Sequence, residues 1–158
     1  MNKLEKISYA QYITDAPNGM ELVEYKDIKL PKRATKGSAG YDFFSTCGFT
    51  LKPGDEIKIP TGIRVLLDPD KDLEIYPRSG LGFKYQLHLA NTVGVIDSDY
   101  SSSDNEGHIW IKLVNGGNRE LTILPGEAVA QGIIRQFCIT DDDNTDGIRN
   151  GGFGSTSK

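Results

Sequence analysis

Short apolar runs, punctuated by glycine and proline, set the rhythm of this chain. EIKIPTGIRVLL (56–67) predicts two strands bent at Pro60-Thr61-Gly62, where the turn residues interrupt the extended run. DLEIYPRS (72–79) alternates and then stops, which predicts a strand ending in a turn. GHIWIKLV (107–114) puts Ile109, Ile111 and Leu113 on one face and Trp110, Lys112 and Val114 on the other, the period of a half-buried strand. ELTILPG (120–126) and AVAQGIIRQFCI (128–139) predict two further strands around the turn LPGEA, and LKPGDE (51–56) marks another turn. Helical periodicity is confined to a short piece near Ser8–Ala16. Without a βαβ rhythm or an internal repeat, the pattern predicts an all-β fold, an antiparallel sandwich or barrel-like structure.

Length and charge narrow this picture. The 158 residues suit one domain. Residues 1–140 read as the β domain with an N-terminal extension. At 141–158, DDDNTDGIRNGGFGSTSK shifts to acidic and then glycine-rich composition, which predicts a flexible C-terminal arm. The net charge of −4 argues against a general nucleic-acid-binding surface. Cys47 and Cys138 form no metal-ligand or redox spacing, so two reduced thiols are expected. No apolar h-region opens the chain, and no run approaches the roughly 20 residues that span a bilayer. These features predict a soluble protein with no membrane partner, in the cytoplasm, or in the host-cell cytoplasm were the source viral.

Four stretches look specialised for chemistry. In YPRSGLGFK (76–84), Arg78 offers a rigid donor fork, and Ser79 and Gly80 extend it into an anion cradle. Taken alone, the stretch reads more simply as an ordinary turn with a surface arginine. In LANTVGVIDSDY (89–100), Asp97 follows a β-branched run that can hold a carboxylate still to orient a water. Tyr100 can pack on a sugar or base. A strand end with an Asx-type turn is the plainer alternative, and Asp99 rivals Asp97 for the acid role. In PGEAVAQGII (125–134), Gln131 is a polar residue in an apolar strand and needs partners if buried. In the arm, the amides around Gly151, Gly152 and Gly154 form a potential phosphate nest, with Ser155 and Thr156 as hydroxyl donors and Phe153 as a stacking ring. His88 and His108 lack Cys or His partners at zinc-ligand spacing. DDDNTD lacks the spaced glycine and closing glutamate of an EF-hand loop, so a divalent ion is expected through phosphates rather than a carboxylate cage.

Taken in order, five segments resemble the motifs of the trimeric dUTP pyrophosphatase (dUTPase) family. They are SAGYDFFS (38–45), with Asp42 as its acid, PRSGLGFK (77–84), NTVGVIDSDY (91–100), PGEAVAQGII (125–134) and RNGGFGSTS (149–157). The resemblance covers about residues 37–157 and leaves 8–27 outside. It implies a distorted antiparallel jelly roll (a β-clip fold) that assembles as a homotrimer and, with Mg2+, cleaves dUTP to dUMP and pyrophosphate. It implies Asp97 as the base that orients water at the α-phosphorus, and Tyr100 as the ring beneath deoxyribose. Asn91, Gly94, Val95 and Ile96 match the hairpin that reads uracil. Arg78, Ser79, Gly80 and Gln131 match the phosphate-binding set, supported by Asp42. Arg149, Phe153, Gly154, Ser155 and Thr156 match the arm that closes a neighbouring subunit's site. Mg2+ is implied on substrate phosphates and waters, with no direct protein ligand. Family members commonly follow the tyrosine with Arg-Gly-Glu, whereas here Ser101 begins a longer loop, SSSDNEGHI (101–109). A dCTP deaminase of the same fold is the rival enzyme, although IDSDY and FGST favour the dUTPase. A trimeric regulatory protein without catalysis is the rival outside enzymes.

Overall fold

The computed structural model describes residues 1–152. Eleven strands and two short helices are found among them. In chain order they are β1 (Lys3–Lys6), α1 (Tyr9–Thr14), β2 (Tyr41–Phe44), β3 (Phe49–Leu51), β4 (Glu56–Pro60), β5 (Ile63–Leu66) and β6 (Lys71–Pro77). There follow α2 (Ser79–Tyr85), β7 (Leu87–Leu89), β8 (Gly94–Ile96), β9 (Trp110–Asn115), β10 (Leu121–Ile123) and β11 (Ala128–Gln136). Every pairing is antiparallel. The largest sheet runs β2-β11-β6-β8, a second runs β4-β9-β7, and β1-β5 and β3-β10 form two ribbons. The sheets close around one apolar core as a distorted jelly roll.

The alternation seen in the sequence decides what lies inside. Ile109, Ile111 and Leu113 are buried, and so are Ile59, Ile63 and Val65 from the run split at Pro60. Leu73 and Ile75 of β6 and Val129 and Ala130 of β11 complete the wall beneath the largest sheet. Burying each valine, leucine or isoleucine among them stabilises the fold by about 1.5–3 kcal/mol. The strand expected to reach residue 139 ends at Gln136. Phe137 and Ile139 beyond it are exposed and have no core to enter.

The stretch expected to be a turn after β6 is instead α2. Gly80 and Gly82 each lower helix stability by about 1 kcal/mol relative to alanine, which hides the helix from a propensity reading. Leu81 and Tyr85, one turn apart, pack against the core and offset that cost. The helix ends at Gln86 in a left-handed conformation, φ 51°. Near the N-terminus the expected helical piece is α1. Ser8 caps it by accepting a bond from the Gln11 amide, and Tyr12 anchors it in the core.

Candidate active site

One end of the β2-β11-β6-β8 sheet frames a cavity of about 170 Å³. Ile75 of β6 and Leu89 of β7 give it apolar walls. The chain between β7 and β8 turns tightly, with the Thr92 amide donating to the Leu89 carbonyl at 3.0 Å and the Val93 amide to the Asn91 carbonyl at 2.8 Å. Thr92 takes φ 68° at this turn. The turn sets Asn91 beside Gly94, Val95 and Ile96 on the cavity wall.

Asp97 follows β8 and precedes a 3-10 turn over Ser98–Ser102. The Asp97 carbonyl accepts from the Tyr100 amide at 3.1 Å. Three residues per 3-10 turn bring positions 97 and 100 to the same side, and both line the cavity. Tyr100 is 7% exposed. Its hydroxyl donates to the His108 carbonyl at 3.0 Å and accepts from Asn105 Nδ2 at 2.9 Å. Burial pushes the Tyr100 pKa up, so the phenol stays protonated and able to donate. Trp110 of β9 completes the wall, its ring 5.3 Å from that of His108.

The arm returns to this cavity within the same chain. Arg149 pairs with Asp97 through a terminal guanidinium nitrogen and with Asp99 through Nε at 2.8 Å. Asn150 exchanges two bonds with Asp104, and the Gly151 amide donates to Ser103 Oγ at 3.0 Å. Gly152 lies so close to Tyr100 that a Cβ there would fall 3.0 Å from the ring, so glycine fits where larger residues crowd. Phe153, Gly154, Ser155 and Thr156 lie outside the described residues.

The expected phosphate-binding residues sit elsewhere. Arg78, Ser79 and Gln131 line a separate groove with Asp42 and Gly40. Arg78 pairs with Asp42 at 3.2 Å, and Gln131, opposite Asp42 in the ladder, donates to the Pro77 carbonyl at 3.1 Å. Gly80, next along α2, has open space around its α-carbon. Strand register measures the separation. Ile96 pairs with Leu73, which puts Asp97 near Asp72, six residues before Arg78 on the same strand line. At about 3.4 Å per residue the two positions lie roughly 20 Å apart. One chain therefore holds Asp97, Asn91 and Tyr100 together and keeps Arg78, Ser79 and Gln131 apart from them.

Ile75, Leu89 and Trp110 are wall residues that the sequence did not single out. The only available signal was a lone tryptophan on the polar face of an otherwise amphipathic strand. Among the described residues no group of three or more His, Cys, Asp or Glu side chains is arranged to hold a metal ion. Cys47 and Cys138 are both free thiols. No helix among the described residues is long and apolar enough to cross a membrane.

Comparison with known proteins agrees with this geometry. The dUTPase family model matches residues 26–157. A deoxyuridine 5'-triphosphate nucleotidohydrolase of Lactococcus lactis is 41% identical over 144 residues, covering 87% of this chain and 96% of the relative. The crystal structure of dUTPase from Streptococcus mutans superposes with a TM-score of 0.65 at 34% identity, covering 78% of this chain and 99% of that one. A Staphylococcus bacteriophage 80alpha dUTPase solved with dUPNHPP shares the fold, with a TM-score of 0.67 at 21% identity over 98% of this chain and 97% of that one. The match across most of the chain, on a jelly roll whose cavity gathers Asn91, Asp97 and Tyr100, makes this chain a member of the dUTPase family.

Proposed function

We propose that this protein is a dUTP diphosphatase, which hydrolyses dUTP to dUMP and pyrophosphate at sites shared between the subunits of a homotrimer. The roughly 20 Å between Asp97 and Arg78 carries the shared-site reading. A triphosphate whose α-phosphorus sits at Asp97 does not reach Arg78 of the same chain. A neighbouring chain that docks its Arg78 groove against this cavity completes the site, and three-fold symmetry repeats the contact without an open end.

Within that site each residue type has a defined task. Asp97 orients a water for attack on the α-phosphorus and takes its proton. Arg78, Ser79, Gly80 and Gln131 donate to phosphate oxygens, where charge builds during attack. The Asn91 turn, with Gly94 to Ile96, presents a polar edge between apolar walls that suits uracil. Such a pocket rejects thymine by the bulk of its methyl and cytosine by its reversed donor and acceptor. The Tyr100 ring supports deoxyribose at the place where a 2'-hydroxyl would collide.

The arm contributes Arg149, and Phe153 to Thr156 would cover the base and the outer phosphates. Arg149 currently holds Asp97 and Asp99, and a triphosphate competes with these carboxylates for the same guanidinium. Closure of the arm would exclude bulk water from the reacting phosphates. Mg2+ carried in on the triphosphate, as part of the substrate, would neutralise phosphate charge.

The direct test measures pyrophosphate release from dUTP, dCTP, dTTP and UTP with Mg2+. We expect strong preference for dUTP, and a loss of about 1,000-fold in kcat for Asp97→Asn. Ammonia release from dCTP would replace this reading with a deaminase. An unimpaired Asp97→Asn enzyme would remove Asp97 as the base.

A further inference from the structure

The segment before residue 26, where the family match begins, reaches the cavity wall through a chain of hydrogen bonds. Its centre is His108, whose side chain is fully buried. The Gly62 amide points at His108 Nε2 across 2.9 Å. An amide N–H can only donate, so Nε2 is the acceptor and the proton sits on Nδ1. Nδ1 therefore donates to Asp15 Oδ2 at 2.6 Å. The two bonds fix both the tautomer and the orientation of the ring. The carbonyl of this same residue accepts the Tyr100 hydroxyl.

Asp15 is itself held. Gln11, one turn back on α1, donates Nε2 to Asp15 Oδ2 at 2.9 Å. Ser8, the cap of α1, donates its amide at 2.8 Å and its hydroxyl at 2.6 Å to the two oxygens of Glu106. Glu106 belongs to the longer loop that follows Tyr100. That loop folds tightly, since Gly107 takes φ +72° and a Cβ there would fall 2.6 Å from the Ser101 α-carbon. Asn105 in the same loop makes the second bond to the Tyr100 hydroxyl. The N-terminal helix and the 101–107 loop thus form one brace around a single phenol.

We propose that Asp15, acting through His108, is a positioning residue that fixes the Tyr100 ring and so sharpens the choice of deoxyribose over ribose. The inference rests on the proposed placing of the sugar against Tyr100. Removing the Asp15 carboxylate leaves a buried Nδ1–H without its acceptor. The imidazole then turns toward another partner, the backbone at 108 shifts, and the ring gains room to move away from a 2'-hydroxyl. A role confined to fold stability would lower the melting temperature without altering the choice of sugar.

The test compares binding of dUDP and UDP, with Mg2+, by titration calorimetry on the full chain, well below the melting temperature of each variant. Asp15→Ala should narrow the dUDP/UDP affinity ratio by about tenfold, the scale of a hydroxyl rejected by shape alone. Asp15→Asn retains a carbonyl acceptor for Nδ1 and should keep most of the ratio. In a Tyr100→Phe background, which lacks the hydroxyl link, Asp15→Ala should narrow the ratio by less than about twofold, because the two changes act through one path. Asn105→Ala cuts the second bond to the phenol without touching α1, and should also narrow the ratio if Asp15→Ala fails to fold. An unchanged ratio in folded Asp15→Ala, or equal effects with and without the Tyr100 hydroxyl, would overturn the proposal. The ratio of kcat/KM for dUTP and UTP should fall in parallel. A wild type that binds dUDP over UDP yet releases no pyrophosphate would overturn the hydrolase reading alone, and the binding ratios would still decide the brace.

Discussion

The Asp97 cavity and the Arg78 groove belong to the same four-stranded sheet, but one is locked within the chain and the other lies open. In the cavity, Tyr100 is buried and bonded on both sides of its hydroxyl, and apolar walls from β6 and β7 surround it. In the groove, Arg78 has a side chain 42% exposed, and Asp42 is its ion-pair partner. Phe83, on the helix that follows, is 93% exposed. Under the proposed function the difference separates two tasks. Choosing the base and sugar would draw on the rigid walls that one chain supplies. Holding phosphates would draw on donors that a second chain brings up after folding, and an exposed aromatic beside those donors suits a surface covered on assembly.

This contrast can be broken by substitution. Beyond Asp97→Asn, the largest effect should come from the groove. Arg78→Ala would remove the charge-assisted phosphate bonds proposed for it and should lower kcat/KM by about 100-fold. Its melting temperature should barely move, because a part-exposed ion pair contributes about 1 kcal/mol or less. An unfolded Arg78→Ala protein would mean that the groove is as structural as the cavity.

A smaller effect should mark the cavity side. Burial holds the His108 pKa below the ordinary histidine value, against the opposing pull of Asp15. The unfolded chain then binds the proton at higher pH than the folded chain, so stability rises with pH across that interval. The melting temperature should be level above about pH 7 and fall as the pH drops below about 6.5. Protonation also removes Nε2 as the acceptor for Gly62, so folding and the brace weaken together. Thermal melts of wild type and His108→Gln across pH 5–8 check this, and an identical slope in the variant would assign the effect to other groups. Glu106, lowered chiefly by its bonds from Ser8, adds its own loss only in the more acidic carboxylate range.

Much of this was legible in the chain. The bend at Pro60-Thr61-Gly62 and the buried face of Ile109, Ile111 and Leu113 follow from alternation and turn chemistry, which act locally. Asp97 and Tyr100 could be paired because a three-residue spacing needs only one turn to bring them together. The short strands β1 and β3 were not evident, since three or four residues carry too little period to read and are ordered by pairing with β5 and β10. Helix α2 was hidden by its two glycines. His108 had no ligand partner at close spacing, and its true partner, Asp15, lies 93 residues away. Trp110 looked like one more residue on a polar face until β9 was set against the cavity. The separation of Arg78 from Asp97 was likewise invisible, because it depends on the register between β6 and β8.

That separation is the central claim, and subunit mixing tests it most directly. Asp97→Asn chains and Arg78→Ala chains should each fold and hydrolyse dUTP poorly. On exchange, some sites would combine the intact Asp97 of an Arg78→Ala chain with the intact Arg78 of an Asp97→Asn chain. If the two residues meet only across subunits, dUTP hydrolysis returns in these mixed assemblies. Confirmed mixed assemblies that remain as inactive as their parents would contradict this and put base and groove in the same chain.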